Sequence, residues 1–76
     1  MWTKINAGNL IKDYKSFSNK GLTAKVISIN EHKQNVKVQV IDTGKSKHFK
    51  EEDIVTLNYY TIDEYFKLID NTIKKL

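Results

Sequence analysis

Three valines at every second position give the sequence its strongest structural constraint. Val36, Val38 and Val40 alternate with residues that would face the opposite side, as in a strand with one buried face. Residues 22–30 precede them and are rich in β-branched side chains, so they predict a second strand. The polar residues 31–35 predict the hairpin loop between the two. The sequence therefore predicts an antiparallel hairpin as part of a meander.

Two further short strands are predicted after this hairpin. Residues 47–50, around Phe49, and residues 54–57 follow the turn that contains Gly44. The chain has 76 residues and no cysteine, so it has neither a disulfide nor a thiolate metal site. A chain of this size must therefore take its stability from one compact core.

A helix is predicted near the start of the chain, over residues 6–17. Four apolar residues of this segment fall at helical spacing and would form one stripe: Leu10, Ile11, Tyr14 and Phe17. Strand alternation would put Lys12 on the same face as Leu10 and mix residue types, so it fits less well. A barrel strand is the alternative for this segment.

A second helix is predicted over residues 61–76. Thr61 and Glu64 have the spacing of a capping box, and Tyr60 and Tyr65 have the spacing of a hydrophobic staple. The predicted buried stripe consists of Ile62, Tyr65, Phe66, Ile69 and Ile73, and the basic residues near the predicted end are Lys74 and Lys75. This helix is expected to cover one face or one end of the sheet.

The middle of the chain resembles a known family. The segments that carry the resemblance are residues 24–29, residues 36–44, Phe49, Asp53, Ile54 and Leu57. Their order resembles the Tudor family of SH3-like barrels, which implies a partly open barrel that binds a ligand at one end. Thr43 and Val40 stand where the family's methyl-lysine and methyl-arginine readers carry aromatic rings. Because an aromatic cage needs two or more convergent rings, methylated-peptide binding is not expected.

These elements together predict the fold class. It is an α+β fold with an N-terminal helix, a small antiparallel SH3-like meander or barrel of about four strands, and a C-terminal helix. Residues 1–76 are expected to form a single domain.

The charge of the chain suggests a polyanionic partner. The formal net charge is +4, and all thirteen basic residues are lysine. Lysine attracts phosphate as a point charge but lacks the bidentate geometry that reads bases. The candidate nucleic-acid-binding residues are Lys25, Lys33, Lys37, Lys45 and Lys47. The alternatives are that they form a solvated outer face, or that the lysine content reflects an A+T-rich genome, such as that of a low-GC bacterium or its phage.

Two aromatic residues are candidates for contact with a partner. Most of the eight aromatic rings occupy positions that predict core packing. Trp2 and Tyr59 do not fit this pattern, so they are expected to anchor a protein partner or to stack on bases.

Neither catalysis nor metal binding is expected. The acidic clusters at residues 51–53 and 63–64 fit a turn and the first turn of a helix better than a carboxylate pair. His32 and His48 lack the spacing of a metal site and have no nucleophile beside them. The chain is therefore predicted to be non-enzymatic and to need no cofactor.

Two functions remain open on the sequence. The first is a nucleic-acid-associated binding module with the lysine-rich face as its footprint. The second is a protein-binding module, a phage or mobile-element product that binds an acidic surface of a host protein and modulates or inhibits it. The longest uninterrupted apolar runs are too short for a membrane span, so no membrane partner and a cytoplasmic location are expected. The oligomeric state is left open.

Overall fold

The main feature of the computed structural model, which describes residues 1–70, is one five-stranded antiparallel sheet. The elements in chain order are β1 Leu10–Asp13, β2 Thr23–Asn30, β3 Asn35–Asp42, β4 Ile54–Asn58, α1 Tyr59–Tyr65 and β5 Phe66–Asp70. The strand order across the sheet is β4-β3-β2-β1-β5. Strands β1 to β4 pair with their neighbours along the chain, whereas β5 returns to pair with β1.

The central hairpin and β4 confirm the predicted strand pattern. Val38 lies opposite Val26 on β2 and Val55 on β4, and it is buried as the alternation predicts. The buried hydrophobic residues form one cluster of Ile5, Ile11, Leu22, Ala24, Val26, Val36, Val38, Val40, Ile62 and Phe66. The core therefore lies between the inner face of the sheet and the short helix α1.

The predicted helix over residues 6–17 is wrong, because this segment contains β1 and part of a loop. Ile11 and Asp13 are buried and Lys12 is exposed, so the segment has the period of a strand. The Asp13 carboxylate accepts hydrogen bonds from the amides of Lys15 and Ser16, at 3.0 and 2.8 Å. A charged residue on the inner face is stable there because backbone donors satisfy it. The alternative of a barrel strand describes this segment better.

The predicted helix over residues 61–76 is also wrong in both start and end. The helix begins at Tyr59, and its cap is Asn58, whose side-chain oxygen accepts a hydrogen bond from the Thr61 amide at 2.7 Å. Thr61 therefore lies inside the first turn and does not cap the helix. The helix ends before Phe66 because β5 pairs with the edge of β1 that β2 leaves unpaired. This pairing satisfies the backbone hydrogen-bonding groups along that edge of β1.

The predicted apolar stripe of this helix is only partly present. Ile62 is buried on the helix. Phe66 is also buried but is the first residue of β5, and Ile69 on the same strand is exposed. Ile73, Lys74 and Lys75 lie outside the described residues.

Residues 47–50 do not form the predicted third strand. Instead, the loop between β3 and β4 is closed by side chains that accept backbone hydrogen bonds. Ser46 Oγ accepts from the amide of Phe49 at 3.3 Å, and Asp53 Oδ2 accepts from the amide of Lys50 at 2.9 Å. Phe49 is half-buried against the core, so its hydrophobic role is kept without strand geometry.

These corrections change the fold class. The α+β fold with a helix at each end is wrong, because residues 1–70 form an antiparallel five-stranded sheet with one seven-residue helix between β4 and β5. In this part of the chain, no helix has the length and apolar character needed to cross a membrane.

Candidate functional site

The predicted lysine site is divided among three parts of the structure. Lys25 on β2 and Lys37 on β3 project from the exposed face of the sheet. Lys33 lies in the turn between these strands, whereas Lys45 and Lys47 lie in the loop after β3. Because β2 and β3 are antiparallel, that turn and that loop are at opposite ends of the hairpin. The structure therefore does not bring the five lysines together.

Lys45 instead contributes to a groove at the end of the sheet where β1 and β3 finish. The loops of residues 14–22 and 43–53 meet at this end. The groove between them has a volume of about 570 Å³, and we call it the lysine groove. Its lining consists of Lys12, Asp13, Tyr14, Lys20, Gly21, Lys45, Lys67 and Ile69. Among the described residues of this lining, four lysines and one aspartate give a formal net charge of +3.

A contact between two glycines brings the two loops together. Gly21 and Gly44 both have positive φ, at 92° and 57°, a conformation that glycine adopts without steric cost. A Cβ atom on Gly44 would lie 2.6 Å from the Leu22 amide nitrogen and 2.7 Å from the Lys20 carbonyl oxygen. The Lys45 amide also donates a hydrogen bond to that carbonyl, at 3.0 Å. The backbone contact therefore places Lys20 and Lys45 on neighbouring walls of the groove.

The other wall of the groove comes from the edge of the sheet. Lys12 on β1 and Lys67 on β5 are register partners, so their Cα atoms lie directly opposite one another. The Lys67 ammonium lies 4.5 Å from the centroid of the Tyr14 ring, within the range of a cation–π interaction. Like charges on paired strands repel each other, so an anion between Lys12 and Lys67 would relieve this repulsion.

Asp13, the carboxylate among the described residues of the groove lining, is turned away from solvent. Asp13 is 2% exposed, and its Oδ1 accepts the two amide hydrogen bonds described above. Its negative charge therefore organises the loop that follows β1. The lysine ammonium groups are left as the exposed charge of the groove.

Lys15 is close to this region but is occupied by another partner. Its ammonium group forms an ion pair with the Glu64 carboxylate of α1. The hydrogen bond and the charge of Glu64 raise the pKa of Lys15 above its ordinary value. Lys15 therefore ties the loop to the helix and is not assigned to the groove.

A second hollow adjoins the lysine groove and shares Lys45 with it. It has a volume of about 660 Å³ and is lined by Phe17, Ser18, Gly44, Lys45, Ser46, Lys47 and His48. Phe17 is 99% exposed, although it is among the most hydrophobic residue types. The hollow therefore combines an open aromatic ring with two lysines and a histidine.

Sequence reasoning missed most of this site. The sequence does not single out Lys12, Lys20 or Lys67, and its apolar spacing predicts a helix stripe for Tyr14 and Phe17. A signal was present, because residues 15–20 surround Phe17 with polar side chains and Gly21 follows. That composition is typical of a loop.

The two predicted partner-binding aromatics lie away from the lysine groove. Trp2 is 88% exposed, and its amide donates to the Asp63 carboxylate of α1 at 2.9 Å. Tyr59 is half-buried against the core and borders a shallow pocket with Met1 and Ile5. Trp2 is not among the residues that line that pocket.

Asp63 fixes the first residues of the chain to the helix. The Asp63 carboxylate accepts a hydrogen bond from the Thr3 amide at 2.8 Å, in addition to the one from the Trp2 amide. Partial desolvation opposes the charged form of Asp63, but the hydrogen bonds from Thr3 and Trp2 outweigh it. They lower the pKa of Asp63 below its ordinary value.

The other histidines and carboxylates of residues 1–70 form no metal site. Within residues 1–70, no three histidine, aspartate or glutamate side chains are close enough to bind a metal ion. His48 borders the hollow beside Phe17, and His32 is exposed in the turn after β2. Comparison of the chain with protein-family models, curated proteins and solved structures found no match.

Proposed function

We propose that the protein is a non-enzymatic module that binds nucleic acid through the lysine groove. The convergence of Lys12, Lys20, Lys45 and Lys67 carries this proposal. These lysines come from two strands and two loops, and the one aspartate among them is satisfied by backbone amides. Phosphate groups would displace condensed counter-ions as they approach such a cluster, which favours binding.

The shape of the site supports an extended anion over a small one. The lysine groove and the hollow beside Phe17 share Lys45 and lie at the same end of the sheet, an arrangement that suits an extended ligand. The lining contains no arginine, so bidentate reading of base edges is not available. The proposed binding is therefore directed to the phosphate backbone and independent of sequence.

The resemblance to SH3-like barrels is consistent with this proposal. In that resemblance, the ligand binds at one end of a partly open barrel. The lysine groove lies at one end of the sheet, between two loops. We therefore propose that the chain is an SH3-like module in which the ligand-binding end, formed by the lysine groove, is basic.

A test compares two variants that remove equal charge from different surfaces. Lys12, Lys20 and Lys45 are changed to glutamine in the groove variant, and Lys25, Lys33 and Lys37 in the control. Each variant has a formal net charge of +1, compared with +4 for the wild type. Binding to random-sequence oligonucleotides is measured by fluorescence anisotropy between about 50 and 200 mM salt.

The expected result separates the groove from the sheet face. The groove variant should bind more weakly, and the slope of log affinity against log salt should flatten by about 2 to 3 units. The control should keep most of the affinity and of the slope. Equal losses in both variants would show that net charge acts without a defined site. Absence of wild-type binding at low salt would refute the proposal.

A protein-binding function is the second candidate, and exposed apolar residues favour it. Ile27, Ile41 and Ile54 are 39%, 46% and 54% exposed on the strands, and Trp2 is almost fully exposed. If this function is the correct one, a pull-down from a bacterial lysate should recover a partner protein even at high salt. Trp2→Ala or Ile54→Ser should then reduce it, whereas the groove variant should not.

A further inference from the structure

The exposure of Phe17 requires an explanation beyond the electrostatics of the groove. A phenylalanine gains about 1.5 to 3 kcal/mol from full burial, yet this ring is 99% exposed. The loop around it is ordered by hydrogen bonds: the Asn19 amide donates to Ser16 Oγ at 3.0 Å, and the Gly21 amide donates to the Asp13 carbonyl at 2.7 Å. The ring is therefore presented to solvent by a defined loop.

The neighbours of Phe17 indicate the chemistry of its ligand. The same hollow is lined by Lys45, Lys47 and His48, which supply positive charge and hydrogen-bond donors. A flat ring beside ammonium groups is the combination that binds a base and its flanking phosphates in single-stranded nucleic acids. In a duplex the faces of the bases are stacked and are not accessible to such a ring.

A lipid surface fits these neighbours less well. Insertion into a bilayer requires a continuous apolar face at the tip of the inserted element. Phe17 is flanked along the chain by Ser16 and Ser18, and then by Lys15 and Asn19. Insertion of this single ring would remove water from those polar side chains, which costs free energy.

We infer that Phe17 stacks on an unpaired base, so that the protein prefers single-stranded nucleic acid to duplex. This inference rests on the proposed function and adds the class of nucleic acid to it. Lys45, which lines both hollows, binds the phosphate between the stacked base and the lysine groove. Lys47 binds the phosphate on the other side of that base.

The test uses Phe17→Ala together with the restoring variant Phe17→Trp. Affinities are measured by anisotropy for an oligothymidine of about twelve nucleotides, and for a duplex of equal length. Phe17→Ala should lower the affinity for the single strand by about 5- to 150-fold. It should leave the affinity for the duplex and the salt slope for both ligands unchanged, because no charge is removed. Phe17→Trp should restore binding to the single strand.

Three outcomes would overturn the stacking assignment. The first is an equal loss of affinity for the duplex, because it would indicate a general effect on the loop. The second is unchanged binding of the single strand by Phe17→Ala. The third is binding of the wild type, but not of Phe17→Ala, to anionic phospholipid vesicles, which would identify a membrane contact. The first two leave the lysine groove intact as a nucleic-acid site, whereas a wild type that binds neither oligonucleotide refutes both proposals.

Discussion

Substitution of Gly44 by alanine tests the contact that positions the two loops of the lysine groove. At φ 57°, an alanine adopts the left-handed region, which costs about 1 to 2 kcal/mol. Its Cβ atom would also lie 2.6 Å from the Leu22 amide nitrogen and 2.7 Å from the Lys20 carbonyl oxygen. These neighbours are backbone atoms, so the loops must move apart, and overpacking of this kind costs about 1 to 3 kcal/mol.

One opposing effect reduces the expected loss. Alanine restricts the unfolded chain more than glycine does, which favours folding by about 0.4 to 1 kcal/mol. We therefore expect Gly44→Ala to lower the free energy of unfolding by about 1 to 4.5 kcal/mol. That is a large fraction of the stability of a small domain, which is about 5 kcal/mol or less in an unstapled chain of this size.

Gly8 supplies the matched control for this experiment. Its φ is also positive, at 95°, but a Cβ atom there would have no neighbour within 4 Å. Gly8→Ala should therefore show a backbone cost without the steric one, and that cost is at least as large as at Gly44 because φ 95° lies outside the left-handed α region. Urea unfolding followed by circular dichroism gives both free energies, and equal m-values would show that the unfolded states are comparable.

The comparison also has a functional readout. If the loops separate, Lys20 and Lys45 move apart, and Gly44→Ala should weaken oligonucleotide binding more than Gly8→Ala does. If Gly44→Ala lowers the free energy of unfolding by less than about 1 kcal/mol and binds oligonucleotide as well as Gly8→Ala does, the contact between the loops is absent in solution.

Three further predictions concern the core, the helix and its contact with the first residues. Val38→Asp places an unpaired charge where the side chain is 1% exposed, so the cooperative melt in circular dichroism should disappear; a normal melt would contradict the sheet orientation. Asn58→Ala removes the helix cap and should cost about 1 kcal/mol in urea unfolding, whereas Thr61→Ala should change little; the reverse order would place the cap at Thr61. The lowered pKa of Asp63 means that its ionised form stabilises the fold above its unfolded pKa, and that this contribution is lost as pH falls through the folded pKa. Acid should therefore destabilise the wild type more than Asp63→Asn. Parallel acid-unfolding curves for the two proteins would contradict this stabilising role of the Asp63 carboxylate.

The strands of the central hairpin were predictable because their pattern is local. Val36, Val38 and Val40 alternate without interruption, and the pairing partner follows a short polar turn. In β1, by contrast, only Ile11 is a conventional core residue, since the other inward side chain is the Asp13 carboxylate. Its partners are amides of the following loop, and sequence periodicity contains no information about them.

The end of the described chain shows a different limit of sequence reasoning. Residues 61–70 contain helix signals, and helix does form as far as Tyr65. What ends it is the free edge of β1, which is more than fifty residues away in the sequence. Competition between a local preference and a distant partner is decided by tertiary structure.

The candidate site was partly predictable for the same reason. The positive charge and Lys45 and Lys47 were identified from composition and from the turn at Gly44. The rest of the groove depends on which loops share an end of the sheet, and therefore on the strand order. Once residues 6–17 are assigned to a helix, Tyr14 and Phe17 are placed in the core, and the aromatic part of the site is missed.

The pairing of β5 with β1 also affects the order in which the strands are expected to pair during folding. The hairpin of β2 and β3 closes a turn of only four residues, so its formation costs little chain entropy. The pairing of Lys12 with Lys67 closes a loop that contains most of the described residues, and contacts between residues so far apart in the sequence slow folding. Stopped-flow measurements should therefore show that destabilising substitutions in the central hairpin mainly slow refolding. Those in β5 should mainly accelerate unfolding, because we expect that strand to be added after the transition state.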